Sequence, residues 1–318
     1  MPSTPKPLIV PAGLVGTFFA RCVVSTLRAL PRAAHRVLAH AVGALAYGLG
    51  IRRGVTLENL GHAFPERTEA ERRRIARDAY VNMALAAIEA LTSSRLTDDE
   101  VEQAVVLENW APLQAAIDAG KGVLVATAHF GSWELFANLM VRRGVPLSAV
   151  VRPLRGAFNA RIVESRQKVG LGLILQRGAV SEVSRAVGEG RVVAQLVDQV
   201  LPATKGVFVP FFGRPASTTP GLSVVAQRTG APVFVVLAAR DGGRLRVFVE
   251  GPVQAPKTGD RQRDLEAHVA QMTAIIERYI RRYPDQWLWL HRRWKEQPPA
   301  PLKPNAKPDP EIGDRGRD

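Results

Sequence analysis

The chain of 318 residues contains 46% hydrophobic and 23% charged residues, which is typical of a globular protein and excludes a disordered or fibrous chain. Its single cysteine, Cys22, excludes a disulfide framework and a cysteine-based zinc site. The 43 lysines and arginines against 29 aspartates and glutamates give a net charge of +14, which favours anionic partners: nucleic acid, an acidic membrane surface or an acidic carrier protein. Most of the basic residues are arginine, which binds carboxylates and phosphates well, although genome composition alone can produce the same bias.

The first fifty or so residues are rich in alanine, leucine and valine, with arginines at intervals. The charge-free stretch Pro7–Ala20 is too short for a spanning helix, although Pro7–Leu27 would just reach across a membrane if Arg21 extended to the interface. Pro31 interrupts the apolar segment before it resumes. We predict that residues 1–50 form membrane-associated helices that lie on the membrane surface, with ordinary core helices as the alternative.

A long helix is predicted after a short polar stretch. Arg52–Pro65 (RRGVTLENLGHAFP) is polar and ends at a proline, which stops a regular element. Thr68–Leu91 then keeps apolar side chains at helical spacing. Thr68 followed by Glu71 forms a capping box, which places the start of this helix at Thr68.

From Lys121 onward, short apolar runs rich in β-branched residues alternate with helical segments. The predicted strands are Gly122–Ala128, Leu147–Val151, Gly172–Leu175, Arg191–Val197, Pro232–Ala238 and Leu245–Glu250. The predicted helices are Ser132–Arg143, Phe158–Val169, Ala179–Gly188, Gly221–Thr229 and Arg261–Arg282. This alternation predicts an α/β domain over residues 51–297, with a mostly parallel central sheet flanked by helices. The proline- and charge-rich residues 298–318 are predicted to be disordered.

A histidine follows the first of these strands, at the edge of the sheet where α/β proteins bind ligands. His129 would stand at the carboxyl end of the strand, and Glu134 would lie in the first turn of the next helix if the chain turned at Gly131. A carboxylate bonded to one imidazole nitrogen leaves the other nitrogen free to act as a base. The H-x4-E spacing alone is a weak signal, and a packed core histidine is the alternative interpretation.

Several blocks in the chain resemble the bacterial lipid A biosynthesis acyltransferases, the late lauroyl and myristoyl transferases. The first block is His129–Glu134 (HFGSWE), which is similar to the box of the wider H-x4-D/E lysophospholipid acyltransferase group. Further blocks occur in family order over roughly residues 50–297. They are RGVTLENLGHAFP at Arg53–Pro65, VRP at Val151–Pro153, DQ at Asp198–Gln199, GVFVPFFG at Gly206–Gly213, ASTTPG at Ala216–Gly221 and YPDQWLWLHRRWK at Tyr283–Lys295.

The resemblance implies a role for each matching residue. His129 takes the proton of an acceptor hydroxyl, and Glu134 orients it and stabilises the imidazolium. The implied substrate-binding residues are Arg152, Arg166, Asp198, Thr218 and Thr219. Each of these also has a plain structural interpretation, as a solvated helix-face arginine or as a helix cap. The tryptophan cluster Trp287–Trp294 either packs against the sheet or anchors the protein at a membrane interface, and we expect His291 to be packed rather than catalytic.

The function implied by the resemblance is the transfer of a fatty acyl chain from acyl carrier protein to a hydroxyl of a lipid A precursor. The expected protein is a monomer at the cytoplasmic face of the cell inner membrane, with a glycolipid acceptor, no nucleic-acid partner, no metal and no cofactor beyond the acyl-thioester co-substrate. One alternative is another glycolipid or lysophospholipid acceptor, as in the mannoside acyltransferases, with acyl-CoA as donor. The other is a catalytically silent basic protein that binds membranes or nucleic acid.

Overall fold

The computed structural model describes residues 9–10, 13–95, 97–152 and 154–299, which form eleven helices and eleven strands in that part of the chain. The helices are α1 (Leu14–Ala29), α2 (Arg32–Gly48), α3 (Arg53–Ala63), α4 (Glu69–Thr92), α5 (Asp98–Ala104), α6 (Ala111–Asp118), α7 (Trp133–Arg142), α8 (Ala157–Lys168), α9 (Ala179–Gly188), α10 (Gly221–Thr229) and α11 (Arg261–Arg282). The strands are β1 (Ile9–Val10), β2 (Val105–Glu108), β3 (Val123–Thr127), β4 (Leu147–Val151), β5 (Leu154–Arg155), β6 (Gly172–Leu175), β7 (Val192–Leu196), β8 (Val207–Phe211), β9 (Arg214–Thr218), β10 (Val233–Asp241) and β11 (Arg244–Val253).

The central sheet has seven strands in the order β2-β11-β10-β3-β7-β4-β6. Strands β10, β3, β7, β4 and β6 run parallel, and this confirms the predicted mostly parallel sheet. Strand β11 is antiparallel to β10 because the two form a hairpin across Gly242 and Gly243, both of which have positive φ. Strand β2 pairs parallel with β11 at the edge. Strands β1 with β5 and β8 with β9 form two small separate pairs.

Two hydrophobic cores lie on opposite faces of the sheet. Alternate residues of β3 enter different cores, since side chains on a strand point to opposite faces in turn: Leu124 packs on one side and Val125 on the other. Helices α4, α9, α10 and α11 contribute buried residues to the first core, and α6 and α7 contribute them to the second. Helices therefore flank the sheet on both faces, as predicted.

The N-terminal residues form a helical pair, α1 and α2, that is broken at Pro31 as the sequence indicates. Helix α1 buries Ala20, Val24 and Leu27, while large apolar residues on the rest of its surface remain exposed. Among the described helices, none is both long and apolar enough to cross a membrane. Residues 1–8, 11 and 12 of the predicted membrane-associated segment, and residues 300–318 of the predicted disordered tail, lie outside the described residues.

Most predicted elements are present within a few residues of their predicted ends, and the capping box of α4 is confirmed. The Thr68 hydroxyl accepts the Glu71 N–H at 3.3 Å, and the Glu71 carboxylate accepts the Thr68 N–H at 2.7 Å. The polar stretch Arg52–Pro65 is corrected: it contains α3, whose Leu60 is fully buried. Helices α5 and α6, strand β2 and the β8–β9 pair were also not predicted.

Candidate active site

His129 lies at the carboxyl end of β3, two residues after Thr127, the last residue of that strand. Strand β3 is the middle strand of the seven-stranded sheet. The chain then turns at Gly131, where φ is +56° and an added Cβ would lie 1.9 Å from the Ala238 carbonyl oxygen. Only glycine fits this position, because a side chain would clash with the neighbouring strand β10. The sharp turn leads directly into α7 and leaves the His129 side chain 24% exposed at the sheet edge.

Asp198 holds the imidazole of His129. It lies at the carboxyl end of β7, the parallel neighbour of β3, so both residues meet at the same edge of the sheet. Its Oδ1 bonds His129 Nδ1 at 2.9 Å, and its Oδ2 accepts the His129 backbone N–H at 3.0 Å. The indole N–H of Trp287 donates to the same Oδ2 at 2.8 Å. In the structure, the carboxylate that bonds the imidazole is therefore that of Asp198 and not, as predicted, that of Glu134.

The surroundings of Asp198 keep its carboxylate charged. Complete burial on its own raises the pKa of Asp198, but the neighbouring His129 and the N–H donors of His129 and Trp287 outweigh burial and hold the pKa below its usual value. An ionised Asp198 fixes the proton of His129 on Nδ1, which leaves Nε2 as a free base. The side-chain amide nitrogen of Gln199 lies 3.4 Å from this Nε2.

Glu134 instead binds Arg166. It stands in the first turn of α7 and is 9% exposed, and Arg166 Nε on α8 donates to its Oε2 at 3.1 Å. Arg166 Nη2 and the Trp133 indole N–H donate to Glu134 Oε1. Burial alone lowers the pKa of Arg166, but the charge of Glu134 outweighs it and raises that pKa. Both oxygens of the Glu134 carboxylate therefore accept hydrogen bonds from Arg166 or Trp133 rather than from the imidazole.

A narrow apolar crevice lies beside these groups, between helix α7 and the second-core face of the sheet. Its walls include Val125 of β3, Ala149 of β4 and Ala194 of β7, opposite Phe136 and Met140 of α7. The paired Glu134 and Arg166 line the same crevice, as does Trp133, whose ring contacts the His129 ring at a centroid distance of 5.4 Å. Its lining is almost entirely hydrocarbon apart from this ion pair.

The other predicted substrate-binding residues are Arg152, Thr218 and Thr219. Arg152 is exposed, bonds Gln176 at 2.9 Å and lines a hollow of about 800 Å³. Thr219 is half-buried, accepts the Gly221 N–H at 3.3 Å and lines an adjoining hollow of about 1170 Å³. Thr218 is 1% exposed, and its hydroxyl bonds the Ala216 carbonyl and Arg293, so the protein encloses it and its role in substrate binding stays a prediction.

The chain is similar to known proteins over most of its length. Residues 7–296 match the family described as bacterial lipid A biosynthesis acyltransferase. The chain belongs to this family. The resemblance inferred from the sequence is thereby confirmed, and the protein is an O-acyltransferase.

Relatives of the acyltransferase share about a quarter of its residues. It is 28% identical over 267 residues to the lipid A biosynthesis palmitoleoyltransferase of Escherichia coli (strain K12), which covers 81% of this chain and 83% of the relative. It is 26% identical over 264 residues to the lipid A biosynthesis lauroyltransferase of the same organism, covering 81% and 84%. It is also 25% identical over 189 residues to the phosphatidylinositol mannoside acyltransferase of Mycolicibacterium smegmatis (strain ATCC 700084 / mc(2)155). This shorter match covers 57% of this chain and 60% of the relative.

The tryptophan cluster of the acyltransferase is internal. Trp287 and Trp289 are almost fully buried, and Trp294 is 8% exposed, so the packing interpretation of this cluster is correct and the interfacial one is wrong. His291 is packed as expected: its Nε2 accepts the Val200 N–H at 3.1 Å, and burial lowers its pKa to about 4. Within the part of the chain that the structure describes, no group of three or more His, Cys, Asp or Glu residues is placed to hold a metal ion.

Sequence reasoning missed two residues of the acyltransferase site. Trp287 donates to Asp198, and its position beside the site follows from the bridge between Phe130 and Trp287, which joins the C-terminal block to the end of β3. Arg293 is 1% exposed and donates to the Ser217 carbonyl and to Thr218, so it joins the C-terminal block to the end of β9. Both residues lie in the C-terminal block YPDQWLWLHRRWK, which was the available signal.

Proposed function

We propose that the protein transfers a fatty acyl chain from the thioester of acyl carrier protein to a hydroxyl of a lipid A precursor, with His129 as the general base. The observation that carries this proposal is the partly exposed His129 imidazole, whose Nδ1 is held by the buried Asp198 and whose ring contacts Trp133, a residue that lines an apolar crevice. A base next to a hydrocarbon-lined space fits the two reactants, an alcohol and a fatty acyl chain.

The reaction needs one proton acceptor and one group that stabilises the oxyanion. In the free protein the Gln199 amide lies against His129 Nε2, so an acceptor hydroxyl replaces this contact when it binds. Nε2 takes the hydroxyl proton as the oxygen attacks the thioester carbonyl. The tetrahedral intermediate then collapses, the C–S bond breaks, and the imidazolium returns the proton to the departing thiolate sulfur. The freed Gln199 amide is positioned to donate to the carbonyl oxygen as it becomes negative.

The apolar crevice suits the acyl chain of the donor. The crevice has a volume of about 60 Å³, so α7 and the sheet would have to move apart to enclose an acyl chain. The thioester of an enclosed chain would lie next to His129, because Trp133 lines the crevice and contacts the imidazole. The Glu134–Arg166 pair fixes α7 against α8 at the mouth of this crevice. In this proposal Glu134 is a positioning residue, and it acts through Arg166 and α7 rather than through the imidazole.

The carrier protein would dock on the hollow that Arg152 lines. The exposed cations Arg52, Arg152, Arg292 and Lys295 surround this hollow, and its one acidic lining residue, Glu296, accepts the Ala203 N–H at 3.1 Å. Carrier proteins are expected to be strongly acidic, so this basic rim favours their approach. The Val200 segment, directly after Asp198 and Gln199, lines the same hollow and connects it to the reactive nitrogen.

The exposed apolar surface of α1 and α2 would hold the protein at the cytoplasmic face of the inner membrane. Leu14, Val15, Phe18 and Phe19 of α1 are 60–91% exposed, and Val37, Leu45 and Leu49 on or next to α2 are 63–71% exposed. Burial of apolar side chains in the headgroup layer favours such helices on a membrane. Phe18→Asp/Phe19→Asp should reduce co-flotation of the full chain with vesicles, whereas Gln262→Asp/Gln271→Asp on exposed positions of α11 should not. Equal flotation of both variants would contradict this placement.

The activity is tested with the purified full chain, acyl carrier protein loaded with a fatty acid, and a lipid A precursor with a free hydroxyl. Mass spectrometry should show the precursor gaining one acyl group, at a rate that requires His129. Phosphatidylinositol mannoside, a lysophospholipid and acyl-CoA are offered in parallel because a mannoside acyltransferase is among the relatives. Acylation of one of these alone would overturn the proposed acceptor, and faster transfer from acyl-CoA would overturn the proposed donor.

A further inference from the structure

A second cavity, of about 550 Å³, lies on the other side of α7 from the apolar crevice. It is enclosed by the junction of α1 and α2, the end of α4 and the β10–β11 turn. Ser132, three residues after His129, lines it, so it opens at the same edge of the sheet as the candidate active site. The proposed reaction does not use this cavity.

Six arginines line the cavity: Arg28, Arg32, Arg36, Arg95, Arg240 and Arg244. Among the described residues, the guanidinium groups of Arg32, Arg36 and Arg244 have no ion pair or hydrogen-bond partner. Arg240 pairs with Glu89 through Nη2, but its Nε and Nη1 are buried without a partner. Leaving buried donors unsatisfied is unfavourable, so this arrangement is typical of a site that awaits an anion.

The acidic residues of the cavity neutralise only part of this charge, because three carboxylates, those of Glu89, Glu100 and Asp241, face six arginines. Glu89 accepts hydrogen bonds from Arg240 and from the Ser132 hydroxyl. Asp241 lies 3.1 Å from Arg246 and accepts the Tyr283 hydroxyl at 3.1 Å. Glu100 caps its own helix through Thr97. The cavity therefore keeps an excess of positive charge, all of it from arginine, whose planar guanidinium binds phosphate oxygens in pairs.

The cavity borders the exposed apolar surface of the N-terminal helices. Leu30, the residue directly after α1, lines the cavity and is 37% exposed. Val37, directly after Arg36, is 71% exposed. We propose that this cavity binds the phosphate group of a lipid headgroup, close to His129. The phosphate belongs either to the acceptor lipid of the proposed function or to a phospholipid of the membrane. In the first case this inference rests on the proposed function.

The site is tested by comparing the full wild-type chain with the double variant Arg36→Ala/Arg244→Ala. Arg36 and Arg244 are exposed arginines of the cavity that lack an ion-pair or hydrogen-bond partner among the described residues. The matched control is Arg261→Ala/Arg263→Ala, which removes two exposed arginines of α11 and the same net charge. Binding is measured to phosphatidylcholine vesicles with and without phosphatidic acid, which carries a phosphomonoester. We expect the cavity variant to lose about tenfold or more in affinity for the phosphatidic acid vesicles, and the control less than about twofold. Equal losses in the two variants, or no loss in either, would overturn the site.

A second measurement identifies the source of the phosphate. If it belongs to the acceptor, the cavity variant should raise KM for the phosphorylated acceptor, leave kcat unchanged, and leave KM for the dephosphorylated acceptor unchanged. If only vesicle binding changes, the site is assigned to a membrane phospholipid. The vesicle measurement requires no acyl transfer, so failure of the proposed function and failure of this site give different results.

Discussion

Two carboxylates at the carboxyl edge of the sheet have separate partners. Asp198 is fully enclosed by N–H donors and fixes the tautomer of His129, while Glu134 forms a two-point ion pair with Arg166. The charged form of each carboxylate is stabilised by its own partner, so neither is free to exchange roles. In the proposed mechanism the Asp198–His129 pair therefore acts as the base, and Glu134 joins α7 to α8 through Arg166.

The Glu134–Arg166 pair should contribute strongly to stability as a unit. Both side chains are largely buried, since Glu134 is 9% and Arg166 18% exposed. Removing one partner therefore leaves the other as a buried charge without an ion-pair partner. We expect Glu134→Gln and Arg166→Gln each to lower the free energy of unfolding by about 3 kcal/mol, and the double variant to lose less than the sum. Urea unfolding of the four proteins measures this coupling.

An exposed pair provides the control for this double-mutant cycle. Glu69 and Arg73 on α4 form an ion pair with side chains 68% and 53% exposed, and Glu69→Gln should cost less than about 1 kcal/mol because water screens the pair. If the two pairs show the same coupling energy, Glu134 and Arg166 do not act as a buried unit.

His291 should make the protein less stable as the pH falls. Burial lowers its pKa from 6.5 to about 4, and its Nε2 must stay unprotonated to accept the Val200 N–H. Below pH 6.5 the unfolded chain takes up a proton that the folded protein does not take up until near pH 4. The unfolded state then binds more protons, so stability decreases as the pH drops through this window.

The measurement is the urea midpoint at pH 7 and at pH 5, for the wild type and for His291→Gln. The buried His268, whose pKa is also lowered by burial, contributes equally to both proteins, so their difference isolates His291. The variant should lose less stability between the two pH values than the wild type. An identical loss would show that His291 does not titrate in this way.

At the scale of elements, α2 packs on α4 through a close approach at Gly43. A Cβ added there would lie 2.7 Å from the Val81 backbone nitrogen on α4, a distance that requires one helix to move. Gly43→Ala should therefore lower the free energy of unfolding by about 1–3 kcal/mol, although alanine favours a helix more than glycine does. Gly48→Ala, in the same helix with nothing within 4 Å, should be neutral or stabilising. Equal effects in urea unfolding would contradict this contact.

The sequence predicts the elements whose patterns are local, and misses those that depend on distant partners. Strands such as β4 and β6 are short apolar runs bounded by glycine or proline, and their predicted ends agree with the structure. Helix α3 was missed because its buried Asn59 looks solvent-facing in sequence. Its amide bonds the carbonyls of Trp289 and His291, which are far away along the chain. Strand β8 contains Pro210, which is exposed in a two-stranded pair but reads as a loop signal.

The contacts of the candidate site also depend on residues that are distant in the sequence. Spacing along one chain places Glu134 near His129, and the resemblance adds Asp198 and Arg166. The choice between the two carboxylates depends on which strand lies next to β3 and on where α8 presents Arg166. Neither fact is encoded in local spacing, so the residues of the site could be predicted while the partner of the imidazole could not.

At the scale of the whole molecule, two groups of basic residues, in a chain whose net charge is +14, line hollows that an anion could enter. One basic hollow surrounds Arg152, and the arginine-lined cavity lies beside the N-terminal helices. The first is open to a carrier protein, and the second borders the apolar surface of α1 and α2. If both proposals are correct, the donor and the lipid would reach the same sheet edge from different sides.

Transfer from acyl carrier protein should slow as salt rises, because the Debye length falls from about 10 Å at 0.1 M to about 3 Å at 1 M. We expect kcat/KM for the carrier-bound donor, measured at saturating acceptor, to decrease with salt more steeply than that for acyl-CoA. Arg292→Ala/Lys295→Ala, at the rim of the hollow, should lower kcat/KM and flatten its salt dependence. If kcat/KM is independent of salt, carrier recognition is not electrostatic and the arginine excess reflects composition alone.

The central claim is that His129 is the general base of acyl transfer, held by Asp198. The most direct measurement is kcat of His129→Ala at saturating donor and acceptor, with a urea midpoint to show that the variant is folded. General-base catalysis contributes about 10²–10⁴-fold, so kcat should fall by that factor while the midpoint stays near the wild-type value. A folded His129→Ala protein with kcat within about threefold of the wild type would contradict the account.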